Sequence, residues 1–154
     1  MERVGLTVQI EGLQLFMEPV TRPVLEEALQ DGGSLIAWYR EYHKERANKE
    51  SRGQDKLYER YETYWFLTEK SLVNMQIAPN NIRIRSFARQ SICSVELNYD
   101  IIAEAGKERS QIQQIRLRIS GIDNEIHLLR PKEAEYAQQF SQFARSLSRQ
   151  PVTP

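Results

Sequence analysis

Cys93, His43 and His127 are the side chains with the most obvious capacity for chemistry in this 154-residue chain, because it has one cysteine and two histidines in all. Zinc sites set histidine, cysteine or carboxylate ligands at short fixed spacings, and neither histidine has such a neighbour. No metal site is expected. Cys93 is a potential nucleophile, but it alternates with Val95 and Leu97, the setting of a small core residue on the apolar face of a strand. Glu26 and Glu27 are adjacent, so on a helix they diverge and do not form an acid–base pair. Gly32-Gly33 follows a helical segment instead of opening one after a strand, the reverse of a phosphate-binding loop. The chain offers no catalytic residues, no cofactor site and no evident small-molecule substrate, and it is not expected to be an enzyme.

Binding chemistry is better represented. Arg83 and Arg85 share one face of one predicted strand, and Arg116 and Arg118 share one face of another. Such ladders can hold phosphates through charge-assisted hydrogen bonds, or simply be solvated outer faces whose charge discourages edge pairing. RNA recognition would want stacking aromatics among them, and only Phe87 lies near, so nucleic acid is not an expected partner. The second surface is aromatic. Trp38, Tyr39, Tyr42, Tyr58, Tyr61, Tyr64, Trp65 and Phe66 are eight of the fourteen aromatic residues, and tyrosine and tryptophan are enriched where proteins recognise one another. We take Trp38, Tyr39, Tyr42, Tyr58, Tyr61 and Tyr64 as candidate interaction residues. The competing reading packs helix 34–42 on the aromatic strand within one chain.

These side chains are positioned by a run of strands. Tyr61, Thr63, Trp65 and Leu67 alternate with Glu62, Tyr64, Phe66 and Thr68, giving a strand that is aromatic on both faces. One face suits an interior; the other needs the inserted helix, a second copy or another partner. Leu72–Ile77 continues as a strand to the Ala78-Pro79-Asn80-Asn81 turn, and Ile82–Phe87 alternates after it. Cys93, Val95, Leu97 and Tyr99 should then share one side of a strand. A loop from about Ala103 to Ser110 follows, then Ile115, Leu117 and Ile119 facing inward, a turn at 120–124, and a last strand with Ile126 and Leu128. Pro131 suits the first turn of a final helix, whose Tyr136, Phe140, Phe143 and Leu147 form an apolar stripe.

Upstream, Val4, Leu6, Val8 and Ile10 alternate in a first strand over 1–17. Thr21 and Pro23 open a helix that ends at Gly32-Gly33, and Ser34 opens a second whose apolar positions are Leu35, Trp38, Tyr39 and Tyr42. Residues 18–56 therefore read as a helical insertion and 150–154 as a disordered tail.

Four segments in this order, Tyr64-Trp65-Phe66-Leu67-Thr68, Ile82-Arg83-Ile84-Arg85, Ser91-Ile92-Cys93-Ser94-Val95 and Pro131 to Leu147, resemble landmarks of the pleckstrin-homology-like superfold, specifically its bacterial PH-domain type, over about residues 58–149. The resemblance implies an α+β fold: an antiparallel PH-like barrel or sandwich of about seven strands capped by a C-terminal helix. Phosphoinositide-binding members carry a basic cluster on their first two strands, whereas 3–16 here has one basic residue, so a lipid headgroup site is disfavoured.

Length and charge set the frame. One domain over 1–149 is the expectation at this size. Lysine plus arginine number 21 and aspartate plus glutamate 21, so no global field draws in nucleic acid or an anionic membrane. One cysteine permits no internal disulfide, and no stretch approaches a membrane span, which makes a cytoplasmic location the simplest expectation. The sequence thus points to a non-enzymatic protein-interaction or assembly module, with a homodimer as one form of it. The alternative is a peripheral binder of anionic ligands or lipid headgroups through Arg83, Arg85, Arg116 and Arg118.

Overall fold

A computed structural model describes residues 10, 12–41, 46–47, 58–59, 62–131 and 134–149, without side chains at 46–47, 58–59 and 134–135. Helix α1 spans Glu18–Leu29 and α2 spans Ala134–Ser148. The strands are β1 (Leu35–Glu41), β2 (Arg46–Ala47), β3 (Tyr58–Glu59), β4 (Glu62–Thr68), β5 (Ser71–Ala78), β6 (Asn81–Ala88), β7 (Ile92–Glu104), β8 (Lys107–Ile119) and β9 (Ile126–Leu129). They form a four-stranded antiparallel sheet ordered β1-β4-β5-β6, a three-stranded one ordered β7-β8-β9, and the short β2-β3 pair. The protein is α+β. Its sheets do not join into a closed barrel among the described residues, which corrects the barrel form of the expectation and leaves two separate antiparallel sheets.

The two larger sheets share a core. Tyr39, Trp65, Leu67 and Leu72 on one sheet meet Ile112, Ile115, Leu117, Ile119, Ile126 and Leu128 on the other, and Phe140, Phe143, Ala144 and Leu147 of α2 close it. Tyr39 packs edge-on to Phe140 and Phe143 with ring centroids 4.9 and 5.1 Å away. Each large side chain buried in this way contributes about 1.5–3 kcal/mol. The predicted stripe of the C-terminal helix is thus what attaches it.

A second core lies on the opposite face of the four-stranded sheet. Tyr64, Phe66, Val73, Met75 and Ile77 pack against Leu25 and Leu29 of α1 and against Ile10, Leu13 and Leu15. Residues 63–68 are consequently buried on both faces. Of the first strand expected over 1–17, residue 10 and residues 12–16 are irregular chain, and residues 1–9 and 11 lie outside the described residues. This irregular segment is held by hydrogen bonds to side chains, Leu15 N–H to Glu18 Oε2 and Phe16 N–H to Glu62 Oε1, both 3.0 Å. Helix α1 begins three residues before Thr21, whose hydroxyl instead donates to the carbonyl of Phe16 at 2.9 Å.

The second inserted helix is corrected outright: 35–41 is strand β1. A bulge at Ile36, between Leu35↔Thr68 and Ala37↔Leu67, puts Leu35 on the same side as Trp38, so a strand mimics the three-residue spacing of a helix. The chain reaches β1 past Gly32, where an added Cβ would lie 2.4 Å from Thr68 Oγ1, and past Gly33 at φ +84°. Only glycine permits that approach and that turn together. The rest of the expected insertion, 42–45 and 48–56, and the expected tail lie outside the described residues.

Candidate interaction surfaces

The aromatic candidates divide by position. Tyr39 belongs to the first core and Tyr64 to the second, so neither presents a surface to a partner. Trp38 is half-buried, with its ring 6.3 Å from those of Tyr64 and Phe66 and 6.5 Å from that of Tyr136. Tyr42 and Tyr61 lie outside the described residues, and Tyr58 is described only as backbone of β3. The outer aromatic face of β4 is covered from within the chain, by α1, residue 10 and residues 12–16.

The four arginines do not converge. Arg83 and Arg85 are exposed on β6, opposite Gln76 and Asn74, and the Arg85 guanidinium lies 5.6 Å from the centre of the Phe87 ring. Arg116 and Arg118 alternate with the core residues Ile115, Leu117 and Ile119, so they face away from the core on the other sheet. Arg116 is ion-paired with Glu125 at 2.8 Å and Glu96 at 3.3 Å, which holds its guanidinium above the usual range and Glu125 below the ordinary carboxylate range. His127 sits beside this pair, exposed as its alternation predicts. His43 lies outside the described residues. No group of three or more His, Cys, Asp or Glu side chains that could hold a metal ion occurs among the described residues.

Two bulges interrupt the β7–β8 ladder, and the first moves a side chain that simple alternation misplaces. Ile92 pairs with Ile119 and Ser94 with Arg118, leaving Cys93 as the extra residue and exposed, not in the core. A second shift, between Asn98 and Tyr99, leaves Gln113 of β8 as the extra residue; Tyr99 keeps its alternation with Val95 and Leu97, opposite the buried Ile112, and is 54 % exposed. From there the expected loop over 103–110 is replaced by continuing strand. β7 runs to Glu104, Ala105 and Gly106 make the turn with φ 50° and 78°, and β8 begins at Lys107. Left-handed conformation at both central residues is the signature of the two-residue turn that matches strand twist.

The result is a two-stranded arm from Tyr99↔Ile112 to Glu104↔Lys107, roughly 20 Å long. β9 pairs with Gln114–Leu117, so among the described residues the arm has no third strand. Tyr99 and Ile101 share one of its faces, and Ile101 is 80 % exposed. The sequence signals for it were the Ala105-Gly106 pair and the alternation of Tyr99, Ile101 and Ala103.

A groove of about 420 Å3 separates β1 from α2. The bulged Ile36 reaches it from β1, with Trp38 beside it, while Gln139, Gln142, Arg145 and Arg149 line the helix side. The Gln139 side-chain carbonyl is buried with no hydrogen-bond partner.

Between the sheets, Glu41 is a buried carboxylate that accepts from Trp65 Nε1–H at 3.2 Å and Leu129 N–H at 3.0 Å. Desolvation outweighs these bonds and pushes its carboxyl above the ordinary value. It ties β1 to β4 within one sheet and to β9 in the other.

No helix among the described residues is long and apolar enough to cross a membrane. Compared with family models, with characterised proteins and with solved structures, the chain finds no match.

Proposed function

We propose that this chain is a non-enzymatic protein-interaction or assembly module on a pleckstrin-homology-like scaffold. What supports the scaffold is the order of parts: a four-stranded meander, a three-stranded meander and a terminal helix packed on both sheets. In this reading β1 takes the place of the first strand, and residue 10 with residues 12–29 adds a layer outside the scaffold.

The observation that carries the function is the arm. A two-stranded hairpin is marginally stable in water by itself, yet here it extends past its sheet with Tyr99 and Ile101 facing solvent. A partner protein packing on that face buries both side chains and stabilises the arm at once. Self-association through the arm is one form of this assembly. The test is solution mass by light scattering together with affinity co-purification, comparing the unaltered chain with Tyr99→Ser/Ile101→Ser. The unaltered chain should form a complex that the double variant loses without change in thermal stability. A complex retained by the variant, or none formed by either, overturns the reading.

A further inference from the structure

We propose that the groove between β1 and α2 binds an acidic, extended peptide segment, with Arg145 and Arg149 each taking a carboxylate. The charge is uncompensated: Arg89 donates to the Arg149 carbonyl at 3.1 Å, and none of Arg89, Arg145 and Arg149 has an ion-pair partner among the described residues. Cations at a helix C-terminus have a simpler role in complementing the helix dipole. That role does not account for the other two features of the groove.

Ile36 is 44 % exposed, held outward by the bulge, and Gln139 presents a buried carbonyl that lacks a donor. An unmade hydrogen bond of this kind is costly, and a peptide N–H supplies it. The spacing also fits. Side chains four apart on a helix lie about 6 Å from one another, close to the roughly 6.8 Å between alternate residues of an extended chain. The expected ligand therefore carries Asp or Glu at positions two apart, near an apolar side chain that covers Ile36 and Trp38. The bulge interrupts the β1 ladder at its outer end, so side chains and not a continuous added strand carry recognition.

The test is selection of random dodecapeptides displayed on phage against the chain, with Arg145→Glu/Arg149→Glu as the counter-target. Enriched peptides should share the paired acids and, as synthetic fluorescein conjugates, bind the double variant at least about tenfold more weakly in anisotropy titrations, as expected for charge-assisted contacts. Gln139→Leu should weaken them several-fold without touching a charge. Exchange of the peptide acids for lysines should restore binding to the double variant. No enrichment over the double variant overturns the proposal, as do peptides that ignore both substitutions. Displacement of the peptide by inorganic phosphate at matched concentration and ionic strength also overturns it, in favour of a free-anion site. The groove does not depend on the arm: Tyr99→Ser/Ile101→Ser should bind the selected peptides as the unaltered chain does, so either reading can fail alone.

Discussion

The Tyr64 hydroxyl donates to the backbone carbonyl of Gln14 at 2.9 Å, across 50 positions of sequence. It fastens the irregular segment 12–16 onto the second core, where that segment has no sheet ladder to hold it. Removing the hydroxyl in Tyr64→Phe leaves the ring packing intact and strands the carbonyl. The expected loss is about 1–2 kcal/mol, read from urea unfolding.

Glu41 should leave its mark on the pH dependence of stability. Its folded carboxyl is raised above the ordinary 4.5 by burial, so the folded chain binds that proton more tightly than the unfolded chain does. Its contribution is therefore fully present below 4.5 and is lost as pH rises through the folded value. Glu41→Gln removes the titration. The stability of the unaltered chain relative to this variant should increase as pH falls from neutrality toward 4.5, measured by denaturant unfolding at each pH. A difference that stays flat, or moves the other way, contradicts the buried-carboxylate account.

Gly32→Ala places a methyl where Thr68 Oγ1 already stands, 2.4 Å away. Thr68 cannot move freely, because the same oxygen accepts from Ser71 N–H at 3.0 Å in the β4–β5 turn. A destabilisation of about 1–3 kcal/mol is expected from such overpacking. Thr68→Ala removes the hydroxyl and methyl and leaves Cβ at 3.0 Å as the remaining close neighbour, so Gly32→Ala should cost less in that background, a coupling that a double-mutant cycle detects.

The turn of the arm offers a change in the opposite direction. Ala105 is a non-glycine residue at φ 50°, a conformation that costs side-chain-bearing residues about 1–2 kcal/mol. Ala105→Gly relieves it and should slow amide exchange on both sides of the turn, seen as added protection from Ala103 to Lys107.

Much of this architecture can be read from alternation, and its failures have identifiable physical causes. Strands β4, β5, β6, β8 and β9 and helix α2 follow their apolar periods because each has a regular buried face. β1 does not, since it is covered on both sides and bulged at Ile36, so its apolar residues fall at the spacing of a helix. Cys93 points the wrong way for the same kind of reason: it is the extra residue of a bulge, so it falls out of the alternation that Val95, Leu97 and Tyr99 share. The arm hides because Tyr99 and Ile101 keep the alternation of a buried face beyond the point where the core ends. The β1–α2 groove is not a local property at all. Ile36 and Gln139 come together only through packing on the first core, and no window of sequence contains both.

A sheet with an apolar wall on each side also makes the chain separable. Ile10, Leu13, Leu15, Leu25 and Leu29 supply one wall's lining, and the chain passes from them to the sheet at Gly32-Gly33. A peptide of residues 1–31 added to the 32–154 fragment should reconstitute a folded particle, giving a two-part reporter whose halves find each other through apolar packing and the hydrogen bonds of Phe16 and Gln14 with Glu62 and Tyr64.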